Sequence, residues 1–194
     1  MKKLDLLNIS DKQADPDAVL MLSVKDGNLK SFETLVNKYK APLLNFIFRF
    51  IRNSQIAEEI AQETFFRVYR ARMKYKPAAK FSTWLYRIAT NLAFDFKKKE
   101  KGDAITYSTS LQGKEADFEN KDKPVYYGIE KSQMDNSIQT ALQNLPEKQR
   151  LALVLKVYED KSYSEIAEII GCSKNAVESL IFRARQNLKI ENFR

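Results

Sequence analysis

Histidine is absent from this 194-residue chain, and cysteine occurs once, at Cys172. The first absence removes the usual general base, the usual proton shuttle and the commonest zinc ligand. The second rules out an internal disulfide or a thiolate metal cluster and points to a reducing, cytoplasmic setting. Five glycines and five prolines are few, so long helices are expected rather than many tight turns. No apolar run approaches the roughly 20 residues needed to cross a membrane. The opening MKKLDLLNISDKQADPD has two lysines but no continuous apolar segment, so no signal peptide is read. There is no phosphate-binding loop and no Gly-rich cradle. No cofactor, metal or catalytic residue is therefore expected, and an enzyme would have to rest on carboxylates or lysines alone.

What is present is apolar and basic. The chain is 44% hydrophobic, enough for real cores, with a formal net charge of +8 and a pI near 9.4. A balance of this sign suits a polyanionic partner. The expected fold class is all-α: two helical domains joined by a long flexible linker, the C-terminal one a helix-turn-helix. The first domain spans residues 15–100. Asp15-Pro16 reads as a helix cap followed by proline at the first helical position. Val19, Leu20, Leu22 and Val24, then Phe32, Leu35, Val36 and Tyr39, fall at helical spacing. APLLNFIFRFI predicts a central bundle helix, and Asn53 or Ser54 caps the next one. Residues 101–135 are polar and aperiodic, and five basic against seven acidic side chains over 101–145 give a local charge of −2. They are expected as an extended linker of low order, too long to sit inside one compact domain.

Residues 136–194 carry the most specific pattern. Ser162 and Glu165 fit a capping box, Gly171 fits a left-handed helix end, and a second helix follows Ser173. The small Ala167 lets the two helices cross closely, with Ile166, Ile170, Val177 and Leu180 as their shared core. This is the spacing of a DNA-binding helix-turn-helix. Lys174, Asn175, Glu178, Ser179 and Arg183 lie away from the apolar stripe of its second helix. Asn and Ser can bond base edges, and Arg183 can reach guanine or phosphate. Glu178 either accepts from cytosine or pairs locally, and a merely solvated polar face is the competing reading for each of these residues. Cys172 reads as a small turn residue. Nine basic against seven acidic residues over 146–194 make this domain only mildly basic, so a partner is expected to supply the rest of its DNA affinity.

Charge concentrates elsewhere. Ten Lys/Arg but only Asp95 and Glu100 as acids stand between Arg70 and Lys101, a density suited to phosphate contact. On the helix expected from Phe81, the side chains of Phe81, Trp84, Leu85, Ile88, Leu92 and Phe96 form an apolar stripe. Thr83, Arg87, Thr90, Phe94 and Lys98 fall opposite, with Asn91 at the border. Polar, aromatic and basic groups on one surface suit unstacked bases and their backbone. Phe94 has a second reading, packing under the N-terminal helix.

Three segments in order resemble the extracytoplasmic-function (ECF) sigma factors of bacterial RNA polymerase, over nearly the whole chain. AEEIAQETFFRVYRA is similar to that family's polymerase-binding segment, and FSTWLYRIATN to its promoter-melting segment. LPEKQRLALVLKVYEDKSYSEIAEIIGCSKNAVESLIFRARQNL is similar to its reader of the upstream element. The resemblance implies that Glu58, Glu59, Gln62 and Glu63 meet core RNA polymerase at the clamp helices of its largest subunit, with the flap as a further contact. Lys74, Phe81, Thr83, Trp84, Arg87 and Asn91 would handle the minus-ten element, where a base is flipped out and the duplex opens without ATP. Lys97, Lys98 and Lys99 would contact backbone near the melted DNA. Lys174, Asn175, Glu178, Ser179, Phe182 and Arg183 would face the minus-thirty-five element. The linker would thread the polymerase, and an anti-sigma protein would restrain the free chain. The family often has a basic residue where Glu178 stands and another near Leu180; this chain has neither. The competing reading is a self-sufficient regulator, with a sensor-like helical domain and a duplex-binding helix-turn-helix, which would dimerise over paired half-sites.

Overall fold

The computed structural model describes residues 15–102 and 140–191, and among these every regular element is a helix. The first unit holds α1 (Pro16–Lys25), α2 (Leu29–Ile51), α3 (Ser54–Arg70), a 3-10 turn over Arg72–Lys74, and α4 (Phe81–Gly102). The second holds helical residues 140–144, then α5 (Glu147–Val157), α6 (Tyr163–Ile170) and α7 (Lys174–Glu191). The all-helical expectation is met. The expected linker falls, from residue 103 onward, outside the described residues.

Local signals set the helix ends. Asp15 caps α1 with Pro16 at its first position, Asn28 caps α2 through the Ser31 amide, and Asn53, the first of the two expected candidates, caps α3 through Ile56. Arg52, in the left-handed conformation at φ 63°, closes α2 with its amide bonded to the Phe48 carbonyl. Pro42 sits inside α2 without ending it.

α2 is the hub of the first unit: Leu35, Leu43, Phe46, Ile47 and Phe50 are essentially inaccessible. Burial of this kind, at about 25 cal/mol per Å² of apolar surface, is what holds helices with ordinary propensities together. Phe46 meets Tyr86 of α4 edge-on at 5.0 Å between centroids, and Phe50 meets Phe94 at 5.5 Å. Phe94 therefore packs inward, but under α2 rather than α1. On α1 the buried apolar side chains are Ala18, Met21 and Val24, while Val19, expected on the apolar face, is exposed. The buried apolar cluster runs on without interruption through Leu142, Leu151, Leu155 and Ile166 of the second unit.

Candidate nucleic-acid interface

The loop before α4 and the first turns of that helix are built around one carboxylate. Asp15 Oδ1 accepts from the Asp17 amide at 3.2 Å and Oδ2 accepts from the Phe81 amide at 2.6 Å. Asp15 thus caps α1 and occupies the start of α4, where four amides lack intrahelical partners and the helix dipole favours negative charge. Asp17 next to it is buried and accepts from Lys38 Nζ at 2.7 Å and from the Tyr39 hydroxyl at 2.5 Å. Burial, together with this bond to Asp17, pushes the Tyr39 hydroxyl far above the usual tyrosine range. Tyr75 stacks obliquely on Trp84 at 4.9 Å and meets Phe81 at 6.4 Å. Its hydroxyl is pushed up to about 12 by burial and then by the charges of Asp15 and Asp17. Residues 76–78, between Tyr75 and Phe81 in the chain, are exposed.

The structure divides the residues expected at the minus-ten element. Lys74, Arg87, Asn91, Lys98 and Lys99 are exposed, and Trp84 and Lys97 are half-buried, Lys97 lying 5.4 Å from the Phe50 ring centre. Phe81 and Thr83 are not accessible, at 0% and 2% exposure. The reason is that α4 is covered from two directions, by α2 and α3 on one side and by α6 on another. A single core-facing stripe on α4 would put Thr83 and Thr90 in water; both are buried, and neither hydroxyl has a hydrogen-bond partner among the described residues. The exposed ridge that remains runs through Arg87, Asn91, Asp95 and Lys98.

On α3, Glu59 and Gln62 are exposed, whereas Glu58 and Glu63 are half-buried and Glu63 pairs with Arg67 at 2.7 Å. Beside them lies a groove of about 580 Å³ between α3 and α4, lined by Ile60, Leu92 and Phe96 with Glu59, Glu63 and Lys98 at its rim. Sequence reasoning missed Phe66, which is 54% exposed one turn beyond Gln62 and is crossed by the Arg70 guanidinium at 5.4 Å. The signal was available: Phe65 and Phe66 are neighbours, about 100° apart on a helix, and cannot both face one narrow core.

The helix-turn-helix forms as expected in its local chemistry. The Ser162 hydroxyl accepts from the Glu165 amide at 3.2 Å, and the Glu165 carboxylate accepts from the Ser162 amide at 2.8 Å. Gly171 has φ 74° and ψ 47°, and its amide bonds to the Ala167 carbonyl. Ser173 starts α7 by accepting from the Ala176 amide. Ile166 and Val177 are fully buried, but Ile169 and Ile181 take the core positions assigned to Ile170 and Leu180, which are only half-buried. Lys174, Asn175, Glu178, Ser179, Phe182 and Arg183 all stand exposed on α7. Phe182 is 64% exposed, a large apolar side chain that the core does not claim. The Ser179 hydroxyl donates back to the Asn175 carbonyl at 3.0 Å, leaving its lone pairs outward.

Between the units lies a polar seam. Glu159, from the turn after α5, accepts from the Tyr86 hydroxyl of α4 and lies 3.8 Å from Arg49 of α2. Arg49 covers the Tyr158 ring at 4.1 Å. Lys161 donates to the Ser82 hydroxyl at 3.0 Å and lies 4.8 Å from the Tyr86 ring centre. Lys80 pairs with Glu165 at 3.0 Å. Burial raises the Glu159 carboxyl despite Tyr86, Arg49 and Lys161, and burial lowers the Lys161 ammonium despite Glu165 and Glu159. Burial also acts to raise Glu165, but the Ser162 amide and hydroxyl and the Lys80 ammonium outweigh it and bring that carboxyl to about 2.

Residues 35–102 match the family profile for sigma-70 region 2, and residues 135–188 the profile for sigma-70 region 4. The RNA polymerase sigma-H factor of Pseudomonas aeruginosa is 33% identical over 89% of this chain and 91% of its own length. The ECF RNA polymerase sigma factor SigW of Bacillus subtilis is 34% identical, over 86% of this chain and 91% of its own. Two solved structures share the fold. One is CnrH in complex with the cytosolic domain of CnrY, with a TM-score of 0.67 at 22% identity over 90% of this chain and 95% of that one. The other is the sigma factor RpoE in complex with the anti-sigma factor NepR from Bartonella quintana, with a TM-score of 0.63 at 23% identity over 82% and 95%. Two sigma regions in the right order, on helices whose exposed faces suit DNA, lead to one conclusion: the chain belongs to the extracytoplasmic-function family of RNA polymerase sigma factors.

Proposed function

We propose a division of labour in this sigma factor. Residues 15–100 bind core polymerase and recognise and melt the minus-ten element, 101–135 link the units, and 136–194 read the minus-thirty-five element. The observation that carries this reading is the exposed face of α7, where Lys174, Asn175, Glu178, Ser179, Phe182 and Arg183 stand in water behind a left-handed glycine turn. Such a helix presents polar and basic groups to a major groove without disturbing its own core. The ridge of Trp84, Arg87, Asn91 and Lys98 supports contact with unpaired DNA, since a half-buried aromatic beside exposed cations offers stacking and phosphate contact together. Glu59, Gln62 and the neighbouring Phe66 on α3 form the surface for the polymerase's clamp helices, with Glu58 and Glu63 flanking it. The chain acts as an initiation factor in the cytoplasm and carries out no catalytic step. No described helix is long and apolar enough to cross a membrane, which suits that placement. An anti-sigma protein is the proposed restraining partner, by analogy with the complex that RpoE forms with NepR.

Transcription in vitro tests the reading. Core polymerase lacking other sigma factors, supplied with a random promoter library, is expected to give transcripts only when this chain is added. Gln62→Ala with Glu63→Ala should abolish them. Tight duplex binding by the chain alone, with no polymerase-dependent transcript, would overturn the reading.

A further inference from the structure

The loop assigned to the minus-ten element, residues 76–80, runs between two buried aromatic residues, Tyr75 and Phe81, at 5% and 0% exposure. We infer that Tyr39 and Asp17 are positioning residues for this loop: from inside the first unit, without touching DNA, they set which bases it accepts. The inference rests on the function proposed above and adds to it a source of minus-ten selectivity.

Lys76, Pro77, Ala78 and Lys80 are exposed and Ala79 is half-buried. The Ala78 amide bonds to the Lys76 carbonyl at 2.8 Å, and the Lys80 carbonyl accepts from the Trp84 amide at 3.2 Å. The flanking rings tie the loop to the interior. Tyr75 lies 4.9 Å from Trp84 and 6.4 Å from Phe81 between ring centroids, and Phe81 lies 5.5 Å from Tyr39 of α2. The Tyr39 hydroxyl donates to Asp17 Oδ2 at 2.5 Å, and Lys38 Nζ donates to both Asp17 oxygens at 2.7 Å. The start of α1 therefore reaches the end of the loop twice. One route is direct, from Asp15 to the Phe81 amide, and the other passes from Asp17 through Tyr39 to the Phe81 ring.

Asp17 and Tyr39 are 6% and 9% exposed, so neither side chain is placed to meet a base. Their polarity serves the interior instead. A buried charge is costly unless it is paired and hydrogen-bonded, and a fully satisfied buried network fixes one arrangement of its members. Phenylalanine at position 39 would fill nearly the same space. What the hydroxyl adds is a fixed position and tilt of the ring against Phe81. A site discriminates between ligands only while its groups are held within about 0.5 Å of the productive geometry. Looseness at Phe81 passes along the backbone to Ala79 and Lys80, and a loop with several arrangements accepts several bases.

Tyr39→Phe tests the inference in the full chain. Core polymerase transcribes the random promoter library with wild type and with the variant, and the transcribed promoters are sequenced. The ratio of output from the preferred minus-ten sequence to output from its single-base alternatives should fall about fivefold, the equivalent of one ordinary hydrogen bond. Preference at the minus-thirty-five element should stay as in wild type. Asp17→Asn, which keeps a carbonyl acceptor for the Tyr39 hydroxyl, should retain most of the minus-ten preference. A merely structural role reads differently: output falls at every promoter alike and the ratio stays fixed. That result, or an equal loss of preference at both elements, would overturn the inference while the proposed function stands. No polymerase-dependent transcript from wild type would overturn the proposed function, and the inference with it.

Discussion

Asp15→Ala removes two helix caps with one substitution. The first is the bond from the Asp17 amide at the start of α1, at 3.2 Å. Losing an aspartate cap of this kind costs about 1 kcal/mol. The second is the bond from the Phe81 amide at 2.6 Å, made to an ionised group at a buried residue. A hydrogen bond to a charged group is worth about 1.5–3 kcal/mol. Together the variant should lose about 2.5–4 kcal/mol, and Asp15→Asn, with one carbonyl acceptor for two amides, about half as much. The sole tryptophan, Trp84, is on α4 and touches Tyr75, so urea unfolding followed by its fluorescence reports on this part of the fold. Binding of single-stranded DNA should weaken in the order wild type, Asn, Ala, while duplex binding through α7 stays unchanged. A loss below about 0.5 kcal/mol for Asp15→Ala, against the usual worth of a cap, would refute the claim that this carboxylate anchors α4. An Asn variant as stable as wild type would show that the second bond contributes nothing.

Gly171→Ala meets no atom within 4 Å of the added carbon, so its cost is the left-handed backbone alone, about 1–2 kcal/mol by thermal unfolding. Lys98→Gln with Lys99→Gln should lower the salt slope of single-strand binding by about 1.4, at about 0.7 per phosphate contact, in a fluorescence titration across salt concentrations. Glu165 is held at about 2, below its ordinary 4.5, so its contribution is complete above pH 4.5 and is lost as pH falls toward 2. Glu165→Gln should therefore flatten the acid limb of a stability profile measured by circular dichroism, and an unchanged limb would remove this group from the account.

How much of this was legible beforehand depends on how local the cause is. Caps at Asp15, Asn53 and Ser162 and the turn at Gly171 depend on residues within four positions of each other, and the sequence shows them directly. The exposed face of α7 followed from helical spacing because that helix is covered on one side only. On α4 the same reasoning failed for Thr83, because its second covering element is α6, about 80 residues later in the chain. No periodicity within α4 carries that information. Ile169 and Ile181 were passed over for Ile170 and Leu180 by one position each, about 100° of rotation, which is finer than an apolar stripe of similar width resolves.

The chemistry of α4 explains why a second partner was hard to see. A face meant for permanent burial is expected to be apolar, since each buried polar group without a partner costs about 1–3 kcal/mol. A face meant only for water has no reason to bring Tyr86 and Ala89 together, both buried here. Ser82, Thr83, Tyr86 and Thr90 fit neither description. Their hydroxyls can be hydrated or covered by α6, and among the described residues only those of Ser82 and Tyr86 find partners. Burying Thr83 and Thr90 without partners among the described residues opposes the packing of α6 on α4, while Glu159, Lys161 and Glu165 favour it. The net preference for this packing is therefore smaller than its polar contacts alone imply.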